Sequence, residues 1–191
     1  MRKSTFLLSA AAAVVVALAS ERAVTRTLDG PPAAARQHAL WAYHPQDPAQ
    51  MARDVDAVVV ATLAGVRPGR TASASSGAGS LSFELDEFMV EESIKGSAGG
   101  ETLFLERVAA LPGELFPEHD GGAYDKGRRY LLFLRKQSTT TLFYLVHPEG
   151  RYAVGDDGLV TAAAEGAVAQ RLSGQPLKDV VALLQAAVAK P

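Results

Sequence analysis

Gly127-Arg128-Arg129-Tyr130-Leu131-Leu132-Phe133-Leu134-Arg135 is the stretch whose reading decides the fold. Five consecutive apolar residues bounded by cations leave no polar face, so Arg129 to Arg135 is expected to be a strand buried on both sides, hence a central one. Upstream, Val55 to Val66 holds Ala57-Val58-Val59-Val60-Ala61, a β-branched run of strand length that Pro68-Gly69 is expected to end. Residues 70 to 80, mostly Ser, Ala, Gly and Thr, then read as a loop.

In the following segment Leu81, Phe83 and Leu85 alternate with Ser82, Glu84 and Asp86, after which Phe88 and Val90 fall one register out of step. A strand's side-chain period of two permits this if one extra residue intervenes, so a β-bulge is expected near Asp86 and Glu87, bending the strand as barrel closure requires. Thr102 to Val108 makes a third strand, and a long loop, Ala109 to Gly127, leads to the central one. Leu142 to Val146 and Arg151 to Val154 are short strands on either side of His147-Pro148-Glu149-Gly150, and Asp156-Asp157-Gly158 marks a hairpin turn into Leu159-Val160. Strands at short spacing without intervening helices predict a mainly β domain over residues 51 to 191, an antiparallel barrel or sandwich.

The last segment changes period. Leu177, Val180, Val181, Leu184 and Val188 repeat at helical spacing, and Gln175-Pro176 supplies the entry, which predicts a C-terminal amphipathic helix over 175 to 189. Burying those five side chains is worth roughly 7 to 15 kcal/mol before conformational entropy is subtracted. So short a helix is marginal alone and must pack on the sheet. Ahead of the domain, Asp47-Pro48 reads as an N-cap and first-turn proline of one or two helical turns.

The N-terminus has its own signature. Arg2 and Lys3 precede an apolar run, Phe6 to Ala19, that closes on Ala17-Leu18-Ala19, a small-x-small cleavage site. Fourteen residues of helix span about 21 Å against roughly 30 Å of hydrocarbon, so residues 1 to 19 are expected to be a cleaved signal peptide rather than a retained anchor. Residues 20 to 50, with Gly30-Pro31-Pro32, Pro45 and Pro48, read as a poorly ordered tether, with Trp41 and Tyr43 docking back on the domain. The expected location is secreted, periplasmic or at the cell envelope; the alternative is a domain held at the membrane by an uncleaved N-terminal segment. An excess of Arg over Lys, 13 to 6, in a chain rich in Ala, Gly and Val suggests a GC-rich bacterial source.

These elements carry a resemblance. Asp56-Ala57-Val58-Val59-Val60-Ala61, Val90-Glu91-Glu92-Ser93-Ile94-Lys95-Gly96, Gly127 to Leu134 and Pro148-Glu149-Gly150-Arg151-Tyr152 resemble a family of uncharacterised bacterial secreted proteins, which in turn is distantly similar to the OB-fold domain of tissue inhibitors of metalloproteinases and the netrin module. The resemblance covers residues 51 to 161 and implies that the domain is mainly β, a small antiparallel OB-like barrel followed by the C-terminal amphipathic helix. In the metalloproteinase inhibitors an N-terminal cysteine chelates the target's zinc. This chain has no cysteine, so that mechanism carries over to no residue here.

Composition narrows the chemistry. Without cysteine there is neither a disulfide nor a thiolate metal site nor a cysteine nucleophile. With 19 Lys and Arg against 21 Asp and Glu and no basic run, nucleic acid is not an expected partner. His38, His44, His119 and His147 show no metal-site spacing and read as loop histidines, His119-Asp120 beside Glu118 and Asp125 being the least poor metal guess. There is no G-x-S-x-G elbow and no phosphate-binding glycine loop. Glu84, Asp86, Glu87, Glu91 and Glu92 cluster on one strand, where they could serve acid-base or calcium chemistry but are better explained as a charged edge. Arg128, Arg129, Arg135 and Lys136 read as solvated strand ends. No catalytic, cofactor-binding or metal residue is assigned. The expectation is an extracytoplasmic non-enzymatic binding or interaction module whose partner is an extracytoplasmic protein, with no nucleic acid and no stable membrane span after cleavage. The alternatives are an extracytoplasmic hydrolase using acidic residues and a passive envelope structural protein.

Overall fold

A computed structural model describes residues 43–73, 80–97, 99–109 and 123–190. The signal-peptide segment, most of the tether including Trp41 and His38, and the part of the long loop that holds His119 lie outside the described residues.

The first element is α1 (Pro48–Asp54), begun as its sequence dictates: the Asp47 carboxylate accepts from the Gln50 N–H at 2.7 Å and Pro48 takes the first helical position. Tyr43 already packs against the core, so folded structure reaches into the last residues assigned to the tether. The other end of α1 is closed from a distance, since the Lys95 ammonium donates to the carbonyls of Arg53 and Val55 at 2.6 Å and of Ala52 at 3.2 Å. Gly96 follows with φ +72°, and a Cβ there would stand 1.8 Å from the Asp56 carbonyl oxygen. The Lys95-Gly96 pair is thus a device for docking α1 on the sheet.

The strands are β1 (Ala57–Ser73), β2 (Ser80–Lys95), β3 (Thr102–Val108), β4 (Arg129–Lys136), β5 (Phe143–Leu145), β6 (Arg151–Val154) and β7 (Val160–Ala162), with a 3-10 turn, Pro148–Gly150, between β5 and β6. They form one seven-strand sheet in the order β1-β2-β3-β5-β4-β6-β7, and β4 also pairs with β1. The first five therefore curl into a partial ring. The expectation of an antiparallel barrel needs correction on two points. The sheet is mixed, because β3 and β5 run parallel through the single pair Leu105 and Phe143. The ring is also incomplete, because β4 gives one half of its edge to β5 and the other half to β6.

β4 is central as expected: Tyr130 to Leu134 are all buried, and alternate residues serve two cores. Tyr130, Leu132 and Leu134 join Val59, Leu63, Phe88 and Leu105 inside the ring. Leu131 and Phe133 join Val58, Val60, Tyr152 and the helices on the other side. There α2 (Ala167–Leu172) and α3 (Leu177–Val188) cover the sheet. Val180, Val181 and Leu184 of α3 are buried and Leu177 and Val188 pack at the margin, as the heptad-like spacing required. Pro176 caps α3 rather than opening its first turn. The separate short helix α2 was not foreseen.

Two local expectations fail. Pro68-Gly69 does not end β1, which continues to Ser73. Beyond Thr62 the strand has left β4 and pairs with β2 alone, and at such an edge proline forfeits no ladder bond that matters. Gly69 is needed because a Cβ would stand 2.8 Å from the Phe83 carbonyl oxygen. β2 holds no extra residue at Asp86 and Glu87, where it pairs with β3 without interruption; a bulge does fall at that point of its pairing with β1, between Leu63 opposite Phe88 and Gly65 opposite Glu87, but the extra residue is Ala64 of β1. The bends lie where β2 meets β1, at Ile94 and Glu91 of β2, at Ala64 of β1 and within residues 69 and 70. Asp86 itself occupies the inward position in phase with Phe88 and Val90, fully buried beside Arg107.

Candidate functional site

β1, β2 and β3 extend past the ring as a three-strand arm with two unlike faces. The register irregularity between Pro68 and Thr71 turns Arg67 and Arg70, three residues apart, onto the same face, where a regular strand would set them on opposite ones. On that face the Arg67 guanidinium lies 4.3 Å from the ring centroid of Phe104, and that of Arg70 lies 4.2 Å from Phe83. Each cation thereby stands over an aromatic ring.

A buried carboxylate fixes the second of the two. Arg70 donates to both oxygens of Glu106 at 2.8 and 3.0 Å, and Gln137, just past β4, adds a third bond at 2.8 Å. Burial alone would raise the Glu106 carboxyl, but these bonds and the Arg70 charge outweigh it and hold the group below the usual carboxylate range. The Glu106 side chain is 5 % exposed while that of Arg70 is 57 % exposed, so the anion is a buried anchor and the cation is presented to solvent. The arrangement offers planar N–H donors in a fixed orientation to carboxylate, sulfate or hydroxyl oxygens.

The opposite face is closed on itself. Arg107 donates to Asp86 at 2.9 and 3.3 Å and to Glu84 at 2.6 Å. Burial works against the Arg107 charge, and the two carboxylates more than restore it. Glu84 and Asp86 therefore share one guanidinium rather than forming an acid-base pair. Glu91 accepts from the Thr62 hydroxyl and pairs with Arg129 at 3.3 Å, and Glu92 is exposed. The carboxylate cluster seen along the sequence is dispersed over two faces.

The remaining candidates have local roles. His147 accepts the Glu149 N–H through Nδ1 at 3.3 Å and so opens the 3-10 turn; burial pulls its pKa below the usual histidine value. His44 approaches it edge to face at 6.3 Å. Arg128 pairs with Asp125 at 3.2 Å, Arg135 donates to the Asp54 carbonyl at 3.2 Å, and Lys136 stands exposed at the strand end. Arg151, 4 % exposed, lies 3.7 Å above the Tyr124 ring and donates to the Ala123 carbonyl at 2.7 Å. Among the described residues no group of three or more His, Asp or Glu is placed to hold a metal ion, and no helix is long and apolar enough to cross a membrane.

Arg67, Arg70, Phe83 and Phe104 were not singled out from the sequence. The available signal was the Arg-Pro-Gly-Arg order of residues 67 to 70, which places two cations around a possible bulge. Reading Pro68-Gly69 as a strand end hid it. No protein-family model, curated protein or solved structure matches this chain.

Proposed function

We propose that this chain is an extracytoplasmic, non-enzymatic binding module built on an OB-like partial barrel, and that its ligand meets the Arg67 and Arg70 face of β1, β2 and β3. The observation that carries this reading is the pair of guanidiniums seated on Phe104 and Phe83, with Glu106 buried beneath. The ring order β1-β2-β3-β5-β4, closing on β1, supports an OB-like assignment, and OB-folds bind through the face of their second and third strands and the loops at its ends. That is an analogy of fold, and the residues on the face supply the chemistry. Export rests on Arg2, Lys3 and the apolar run to Ala19.

The test is a comparison of captures from the native host's envelope and culture medium, using the wild type and Arg67→Ala. Arg67 is exposed and its loss leaves Glu106 satisfied, so the fold is retained. The partner recovered by the wild type is expected to bind the variant about tenfold more weakly. Equal binding by both rejects the face, and turnover of a substrate by the purified chain rejects the non-enzymatic reading. Mass spectrometry of the soluble fraction is expected to find a mature N-terminus at Ser20; intact Met1 in the membrane fraction rejects cleavage.

A further inference from the structure

On the helical side, α1, α2 and α3 leave between them an open groove of about 470 Å3, which falls in the roughly 300 to 1,000 Å3 range of ligand clefts. Its floor is apolar, since Pro48, Leu172 and Ala187, one from each helix, are buried there. Leu183 continues that floor. It is 45 % exposed although Val180, Val181 and Leu184 on the same helix are sunk in the core. The rim is cationic: Arg53, Arg171 and Lys190 line the groove, all three exposed, and none makes an ion pair among the described residues. Asp47, the carboxylate that lines the same groove, is engaged as the N-cap of α1.

A chain of formal net charge −2 thus carries a positively rimmed, apolar concavity. Each rim cation stands near a helix C-terminus, where it also offsets the helix dipole, but all three are in addition gathered around one exposed leucine. A flat bilayer does not enter a concavity of this kind, whereas a chain segment does. We propose that the groove docks an acidic peptide segment of a partner protein, one bulky apolar side chain resting on Leu172 and Leu183 and carboxylates facing Arg53, Arg171 and Lys190. The site is independent of the Arg67 face.

The experiment is fluorescence anisotropy on the full chain with a labelled Glu-Asp-Leu-Glu-Trp-Glu-Asp peptide, its amide counterpart with Gln and Asn, and phosphatidylglycerol vesicles. Binding of the acidic peptide is expected to weaken at least about tenfold in Arg171→Glu/Lys190→Glu, in Leu183→Ser and in high salt. It is expected to be unchanged in Lys178→Glu, which alters charge on α3 outside the groove. All these side chains but Leu172 are solvent-facing, so circular dichroism is expected to match the wild type in each variant. Equal affinity for the acidic and amide peptides, indifference to the groove variants, or binding to the vesicles in place of the peptide overturns the proposal.

Discussion

At the scale of the residue, the arm is governed by two arginine-carboxylate groups with opposite exposures. Asp86 is fully buried and has Arg107 at 2.9 Å, so removing one partner strands a charge away from water. Asp86→Ala is expected to cost about 3 kcal/mol, softened if Glu84 takes up the guanidinium, while Asp86→Leu/Arg107→Met is expected to cost much less. Chemical denaturation of the three proteins checks the order. His147 gives a pH dependence whose sign is fixed. Burial lowers its folded pKa below the unfolded value of about 6.5, so the unfolded chain binds the proton more readily. Stability from this group is fully present above about pH 6.5 and falls as pH drops from there toward the lower folded value. His147→Gln, which keeps an acceptor for the Glu149 N–H, is expected to flatten that slope between pH 7 and 5 in thermal melts.

At the scale of the element, α2 shows what a local pattern cannot announce. It has six residues, and its N-cap Gly166 has no side chain to offer. The missing cap comes from Glu149, whose carboxylate accepts from the N–H groups of Val168 and Ala169 at 2.9 Å each. Gly166 is required by that approach, since a Cβ there would stand 2.2 Å from the Glu149 carboxyl group. Glu149→Ala is expected to cost about 1 to 2 kcal/mol and to speed amide exchange at Val168 and Ala169 before any change in β4. Uniform acceleration across the sheet would show that Glu149 does not act through α2. By contrast α1 carries its own cap, and α3 its own apolar stripe, so both were legible at once.

At the scale of the whole molecule, β1 and β4 are shared walls between the ring interior and the helix-covered core. Neither core can be lost while the other stays intact. Leu132→Ala on the inner side and Leu131→Ala on the outer side, both fully buried, are each expected to cost about 2 to 5 kcal/mol. Both are also expected to leave a single transition, with near- and far-ultraviolet circular dichroism coinciding. Two separable transitions in either variant would mean that the cores unfold independently.

The sequence by itself determined the class of the molecule and most of its elements, because those rest on signals carried within a few residues. The apolar run of Tyr130 to Leu134 makes a strand with two buried faces, Asp47-Pro48 opens a helix, and the spacing from Leu177 to Val188 makes another. Only the tertiary structure decided where partners distant in the chain replace local rules. Arg107 lets Asp86 point inward, so a slip in the hydrophobic pattern that looks like a bulge is a buried ion pair. The absence of β4 beside the outer half of β1 lets Pro68 remain in a strand, and the irregularity that follows it brings Arg67 and Arg70 to one face. The parallel join of β3 to β5 and the capping of α2 by Glu149 belong to the same class. Each is a contact between segments whose separate sequences contain no trace of the other, because periodicity records which side of a segment is buried and not what buries it.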